Sequence, residues 1–185
     1  MFCRVRSGRG YVGRGGRRYL VGVTGRCLLV VPLAGVASAV PRLETPASVP
    51  HVTLVDPFTL AADEGTVAEL EMFFADVVPF AVRLVGVSQF PSGSTYLTPE
   101  PATPFRRLTH ELNRVFPELP RRPASFEDAP HVPVTLREDE TLEDLQQALD
   151  PWLPTTTVAR EATLWEYDGH EVRTVAVFPF ATSAA

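Results

Sequence analysis

The sequence predicts an α+β protein with two similar lobes, each a mainly antiparallel sheet with helices outside, on either side of a central groove. Three observations lead to this fold class. Short apolar strands alternate with amphipathic helices after an arginine- and glycine-rich beginning. The order of helix, strand, helix and hairpin occurs twice along the chain. A Pro-His-Val phrase occurs at 50–52 and again at 130–132, so its two histidines are 80 residues apart.

Length and composition allow one compact domain or two small lobes that share a cleft. The chain has 185 residues, of which 45% are hydrophobic and 21% charged, as is usual for a water-soluble globular protein. No run of 18 apolar residues occurs, so no transmembrane helix is expected. We predict a disordered arginine- and glycine-rich tail, or a start assigned too early, over residues 1–27 and a single bilobal domain over residues 28–185.

The charge is distributed unevenly between these two parts. Residues 1–27 contain seven arginines and no acid, whereas ten arginines against 22 acids give residues 28–185 a net charge of −12. A body this acidic is not a general nucleic-acid coat protein. Any RNA that it handles is expected to be a small end group held in a pocket.

The two cysteines, Cys3 and Cys27, form neither a CxxC pair nor a metal-ligand spacing, which suits a reducing, cytoplasmic location. The alternative is export, because the apolar residues 27–36 and the small residues 37–39 imitate a secretory signal cleaved after Ala39. Cleavage there would remove a strand that the predicted fold needs, and Arg26 interrupts the apolar region.

The first half of the chain begins with an apolar run that is typical of a buried strand. Asp63 is a suitable N-cap for the second helix, and the turn at residues 91–94 makes the last two strands a hairpin. The predicted elements are a strand at 27–33, a short helix within 34–48, the first histidine strand from 51, a helix at 65–76, and strands at 80–87 and 95–97.

The second half begins with a helix at 104–116, because Pro104 suits a first turn and apolar residues recur there at spacings of three and four. Thr141 and Asp144 form a capping-box pattern. The remaining predicted elements are the second histidine strand at 130–136, a helix up to 149, a strand at 156–167, a turn at 168–169 and a strand at 172–177.

Strand geometry predicts where the histidine side chains point, because side chains at i and i+2 share one face of a strand. His51 and Thr53 therefore share one face, and His131 shares its face with Pro133 and Thr135. We expect the two histidines to face each other across the groove. Their imidazoles titrate near neutrality, so one can accept a proton while the other donates one, which commonly accelerates a reaction by about 10² to 10⁴.

The segments His51-Val52-Thr53-Leu54 and His131-Val132-Pro133-Val134 resemble the paired His-x-Thr-x motifs of the two-histidine (2H) phosphoesterases, including the 2′-5′ RNA ligase and cyclic phosphodiesterase branch. The resemblance extends over about residues 28–180. It includes the proline before each histidine, the hairpin at 96–97, the helix at 105–116 and the closing residues 177–180.

This resemblance implies the LigT-like fold and a phosphodiesterase that needs no metal or cofactor. The implied substrates are 2′,3′-cyclic phosphate ends of RNA or small cyclic nucleotides, with 2′-5′ RNA ligation as a secondary, reverse activity. The implied catalytic residues are His51 as proton donor and His131 as proton acceptor, with roles exchanged for ligation. Thr53 is expected to hold a phosphate oxygen. The implied partner is a small substrate, not a membrane, and the expected state is a monomer.

Pro133 departs from the family pattern, since proline has neither a hydroxyl nor an N–H. Losing one hydrogen bond to a charged group costs about 1.5–3 kcal/mol, or roughly ten- to a hundredfold in rate. Thr135 is the substitute expected on the same face, although it lies about 6.6 Å further along the strand unless a bulge brings it closer. The alternative function is therefore a non-catalytic nucleotide- or RNA-end-binding module with the same fold.

The remaining histidines and aromatic residues have simpler expected roles. We predict that His110 and His170 are exposed surface residues. Tyr96, Trp165 and Tyr167 are expected to pack within their strands, with stacking on a base as the less favoured alternative.

Overall fold

The structure is a computed structural model that describes residues 11–12, 18–19, 26–37, 40, 49–120, 129–168 and 171–182. Two four-stranded sheets dominate it. Sheet A contains β1 (Arg26–Pro32), β2 (His51–Val55), β7 (Glu161–Tyr167) and β8 (Val172–Pro179), and sheet B contains β3 (Phe80–Gln89), β4 (Thr95–Glu100), β5 (Val132–Val134) and β6 (Thr155–Ala159). Outside these sheets, Tyr11–Val12 pairs with Arg18–Tyr19.

Both sheets are antiparallel throughout, and both place a histidine motif at an edge. The strand order is β8-β7-β1-β2 in sheet A and β5-β4-β3-β6 in sheet B. Residues of the edge strands β2 and β5 approach each other with Cα atoms within 8 Å. The predicted α+β class with two antiparallel sheets is confirmed, and the two sheets meet at the strands that carry the histidines.

The helices are α1 (Ala34–Ala37), α2 (Glu64–Ala75), α3 (Thr103–Val115) and α4 (Leu142–Leu149), followed by a 3₁₀ turn at Asp150–Trp152. Helix α2 packs against β8 and α3 against β2, whereas α4 packs against β3 and α1 against β6. Sheet A is therefore contacted by α2 and α3, and sheet B by α1 and α4. No helix in these described ranges is long and apolar enough to cross a membrane.

The predicted caps of α2 and α4 are confirmed. The Asp63 carboxylate accepts a hydrogen bond from the backbone N–H of Thr66 at 2.9 Å. Thr141 and Asp144 form both bonds of a capping box, at 3.1 and 2.9 Å. These bonds satisfy N–H groups that the first turn of a helix leaves without a partner.

Two predicted boundaries were wrong. The predicted strand at 156–167 is interrupted at Arg160, where the chain passes from β6 in sheet B to β7 in sheet A. The interruption arises because the two segments pair with different neighbours: β6 with β3, and β7 with β1 and β8. The first strand begins at Arg26, one residue before its predicted start, where Arg26 is paired with Tyr167 and the buried Cys27 with Glu166.

A chain of phenylalanine rings connects the two sheets. Phe74 on α2 stacks on Phe178 and Phe180, with ring centroids 5.6 and 5.9 Å apart. Phe180 stacks on Phe80 at 6.1 Å, and Phe80 contacts Phe105 edge-on at 5.2 Å. Because Phe80 begins β3 of sheet B and Phe178 belongs to β8 of sheet A, these rings hold one sheet against the other.

The aromatic chain makes Phe74 a sensitive position. Phe74 has no exposed surface, so Phe74→Ala removes a ring that packs on two others and leaves a cavity. We expect the free energy of unfolding in urea to fall by about 3–5 kcal/mol. The control is Val115→Ala, at a side chain that is 43% exposed, for which we expect a change within about 0.5 kcal/mol. Equal losses in the two variants would contradict this account of the core.

Candidate active site

The two histidines lie at the start of their edge strands. His51 is the first residue of β2, and His131 immediately precedes β5. The predicted second strand at 130–136 was too long, since β5 covers only Val132–Val134. Prolines at 130 and 133 lack the N–H that a ladder requires, and an edge strand tolerates this loss.

Each histidine is oriented by the same local hydrogen bond. Nδ1 of His51 lies 3.0 Å from the carbonyl oxygen of Val49, and Nδ1 of His131 lies 2.8 Å from the carbonyl oxygen of Ala129. A carbonyl oxygen only accepts, so Nδ1 carries the proton and donates it in both rings. The neutral form of each ring therefore has its lone pair on Nε2.

Aromatic side chains pack against each imidazole ring. The ring of His51 contacts Trp165 on β7 edge-on, with centroids 4.8 Å apart. The ring of His131 contacts Phe90 at 5.0 Å and Tyr96 at 5.7 Å, both with tilted planes. His51 is 6% exposed, whereas His131 is only partly buried, so the two sides of the site differ in their access to water.

The burial of His51 has an electrostatic consequence. Burial lowers the pKa of His51 below its usual value, because a charged imidazole loses its hydration there. The hydrogen bond to Val49 raises the pKa by less, and the nearby charge of His131 lowers it further. His51 is therefore held towards its neutral form, and it is close enough to His131 for the two rings to influence each other.

The three residues that follow the histidines are placed differently from one another. Thr53 is half-buried on β2, two residues after His51. Pro133 is half-buried on β5, directly opposite Tyr96 on β4. Thr135 is exposed beyond the end of β5, and the three described β4–β5 pairs run in regular register. The bulge that would bring Thr135 closer to His131 is absent from these pairs.

Other candidate residues lie away from this pair of histidines. The side chain of His110 on α3 is 78% exposed, which confirms its predicted place on the surface, while His170 lies outside the described residues. Within the described ranges, no three His, Cys, Asp or Glu side chains lie close enough together to hold a metal ion.

Sequence reasoning missed one residue of the site, Phe90. This residue follows the first strand of the hairpin, just before the Pro91 turn, and it stacks on Tyr96 with centroids 4.2 Å apart. The sequence signal for Phe90 was an apolar residue directly before a turn, which alone does not place the ring against His131. Trp165 and Tyr96, for which packing within the strands was predicted, contact His51 and His131.

A concave region lies away from the two histidines. This cleft of about 700 Å³ is bounded by the end of α2, the start of β3 and the first turns of α3. Its lining residues are Phe73, Asp76, Val77, Val78, Phe80, Pro101, Thr103, Pro104, Arg107, Leu108 and Glu111. The cleft includes neither motif histidine. We place the candidate site at His51 and His131 because these rings carry the paired motifs and lie close enough for His131 to act electrostatically on His51.

Two antiparallel sheets that meet at the strands of the two histidine motifs agree with the fold that the family resemblance implies. The model of the 2′-5′ RNA ligase superfamily matches residues 40–171, and this protein belongs to that family. The match includes both histidine motifs and the six strands from β2 to β7, since β1 precedes it and β8 begins just beyond it at Val172.

Solved structures support the same fold. The chain is similar to LigT of E. coli complexed with 3′-AMP, at 14% identity and a TM-score of 0.60, over 85% of this chain and 99% of that one. It is also similar to the protein TT0787 of Thermus thermophilus, at 17% identity and a TM-score of 0.57, with the same coverage. No match was found among curated protein sequences.

The lowered pKa of His51 predicts how stability depends on pH. In the unfolded chain this imidazole titrates at about 6.5, and in the folded protein it titrates lower. The contribution of His51 to the free energy of unfolding is therefore complete above the pKa of the unfolded chain. It is lost as the pH falls from there through the pKa of the folded protein. As the pH falls from about 7.5 to 5.5, we expect the free energy of unfolding to decrease less in His51→Asn than in the wild type. The asparagine amide can still donate a hydrogen bond to the carbonyl oxygen of Val49.

The measurement is urea unfolding at several pH values across this window. His110→Asn is the matched control, because it makes the same exchange at a side chain that is 78% exposed and lies away from the site. Parallel curves for His51→Asn and the wild type would show that His51 does not titrate as its burial requires.

Proposed function

We propose that this protein is a metal-independent phosphodiesterase that hydrolyses 2′,3′-cyclic phosphate ends of RNA or small cyclic nucleotides. The observation that carries this proposal is the repeated orientation of His51 and His131, each donating Nδ1–H to the carbonyl two residues earlier. In this arrangement each of the two strands contributes one imidazole whose Nε2 can accept or donate a proton. Ligation of RNA ends through a 2′-5′ bond would be the reverse reaction at the same site.

In the hydrolytic direction, one imidazole accepts a proton from water at Nε2 while the water oxygen bonds to phosphorus. The bond from phosphorus to one ribose oxygen breaks, and the other imidazole donates its Nε2 proton to that oxygen. A hydroxyl from Thr53, two residues after His51, would hold a non-bridging phosphate oxygen. Each cycle forms one P–O bond and breaks one, and it leaves a phosphate monoester on the ribose.

The burial of the two rings supports an assignment of their roles. His51 is nearly inaccessible and is held towards its neutral form, which is the form that accepts a proton. The more exposed His131 is the better candidate for carrying the proton that the leaving oxygen receives. We therefore assign His51 as acceptor and His131 as donor, the reverse of the roles that the family resemblance implies.

The expected partner is a small nucleotide or an RNA end. The titles of LigT structures name complexes with 3′-AMP, phosphate, NADP+ and ATP, which supports a nucleotide-sized ligand for this chain as well. The acidic body disfavours a long RNA backbone. We propose a cytoplasmic monomer; cleavage after Ala39 would remove β1, which pairs with both β2 and β7 in sheet A.

A second candidate function is a binding module of the same fold that has lost turnover. Pro133 favours it, because the second motif lacks the hydroxyl that would hold phosphate. Calorimetric titration with a nucleoside 2′-monophosphate separates the two functions. Binding without hydrolysis of any cyclic nucleotide would support the module.

The first test of the proposed activity replaces each histidine. We expect His51→Ala and His131→Ala to lower kcat with 2′,3′-cyclic nucleotides by at least about 10², since each removes one proton-transfer group. His110→Ala is the control, because this exposed side chain lies outside the site, and it should retain wild-type activity. Activity that survives His51→Ala would overturn the assignment of the site.

The second test separates proton acceptor from proton donor by changing the leaving group. A 4-nitrophenyl phosphodiester releases an anion that needs no protonation, so a variant without the donor should be rescued by it. We expect the loss in His131→Ala to shrink at least about tenfold with this substrate, while the loss in His51→Ala stays large. Rescue of His51→Ala instead would restore the roles implied by the family resemblance.

A further inference from the structure

The second motif carries no hydroxyl of its own, but a tyrosine lies directly across from the position that lacks it. Pro133 on β5 is paired with Tyr96 on β4 in the antiparallel register. Directly opposite residues in such a pair point to the same face, with Cβ atoms about 4.5–5.5 Å apart. Tyr96 is therefore on the face that His131 and Pro133 share.

The ring of Tyr96 is held in place beside the histidine. It stacks on Phe90, with centroids 4.2 Å apart and planes inclined by 27°, and its centroid is 5.7 Å from that of His131. Phe90 is 7% exposed and contacts His131 as well, so the three rings form one cluster. Tyr96 itself is only partly buried.

Other hydroxyls on this side of the site are placed less favourably. Thr95 is buried and donates to the carbonyl oxygen of Val134 at 2.6 Å. Ser88 and Thr98 are hydrogen-bonded to each other at 3.2 Å. Thr135 is exposed beyond the end of β5.

We infer that Tyr96 is a substrate-binding residue whose phenol replaces the missing threonine hydroxyl of the second motif. The phenol O–H would donate to a non-bridging phosphate oxygen beside His131. This inference rests on the proposed function, because it assigns a phosphate to the groove between His51 and His131. It explains how a motif containing proline can retain a hydrogen-bond donor on each side of the phosphate.

A double-mutant cycle between Tyr96 and Pro133 tests this inference. Tyr96→Phe keeps the ring and its stacking but removes the hydroxyl, so we expect kcat/KM to fall by roughly ten- to a hundredfold. In a Pro133→Thr background, threonine supplies the hydroxyl, and Tyr96→Phe should then cost less than about threefold. Pro133→Thr alone should gain little, because the donor is already present.

The matched control is Ser88→Ala, which removes a hydroxyl from the strand beyond Tyr96 and should leave kcat/KM unchanged. Urea unfolding of Tyr96→Phe should match the wild type, since the ring contacts remain. Equal effects of Tyr96→Phe in both backgrounds, or no effect in either, would overturn the inference.

Equilibrium binding distinguishes a failure of this inference from a failure of the proposed function. Titration with a nucleoside 2′-monophosphate measures phosphate binding without turnover. If the wild type binds it but hydrolyses no cyclic substrate, hydrolysis is refuted, while a roughly tenfold weaker Kd in Tyr96→Phe still supports the role of Tyr96. An unchanged Kd, or no binding by the wild type, refutes it.

Discussion

The site depends on the packing of two sheets that meet at the edge strands β2 and β5. Neither strand forms a ladder with the other, so their spacing is set by the core behind them. The chain crosses between the sheets before Phe80 and again at Arg160, and the phenylalanine chain joins the sheets at the first crossing. Because packed aromatic cores resist deformation, this joint can keep two imidazoles at a constant separation.

Each histidine ring is oriented by a hydrogen bond to the backbone just before it. The ring N–H bonds to the carbonyl of the residue before the proline, and the same bond occurs in both motifs at 3.0 and 2.8 Å. A proline restricts the residue before it to extended conformations, so that carbonyl has little freedom. The repeated Pro-His pair thus selects one tautomer locally, which the proposed proton transfer through Nε2 requires.

The two halves of the site differ in sequence and in burial. The first motif keeps its threonine and buries its histidine against Trp165. The second motif replaces threonine with proline and surrounds a more exposed histidine with Phe90 and Tyr96. A buried imidazole favours the neutral form, so the burial of His51 suits its proposed role as proton acceptor.

The sequence by itself determined the fold class, the helix caps and the two histidines, because alternation, capping chemistry and short motifs are local patterns. Only the tertiary structure decided that residues 156–167 divide between two sheets, since strand pairing depends on distant partners. It also decided that Tyr96 lies opposite Pro133 and that His51 is the more buried ring. Register and burial are properties of the packed chain, and no local pattern specifies them.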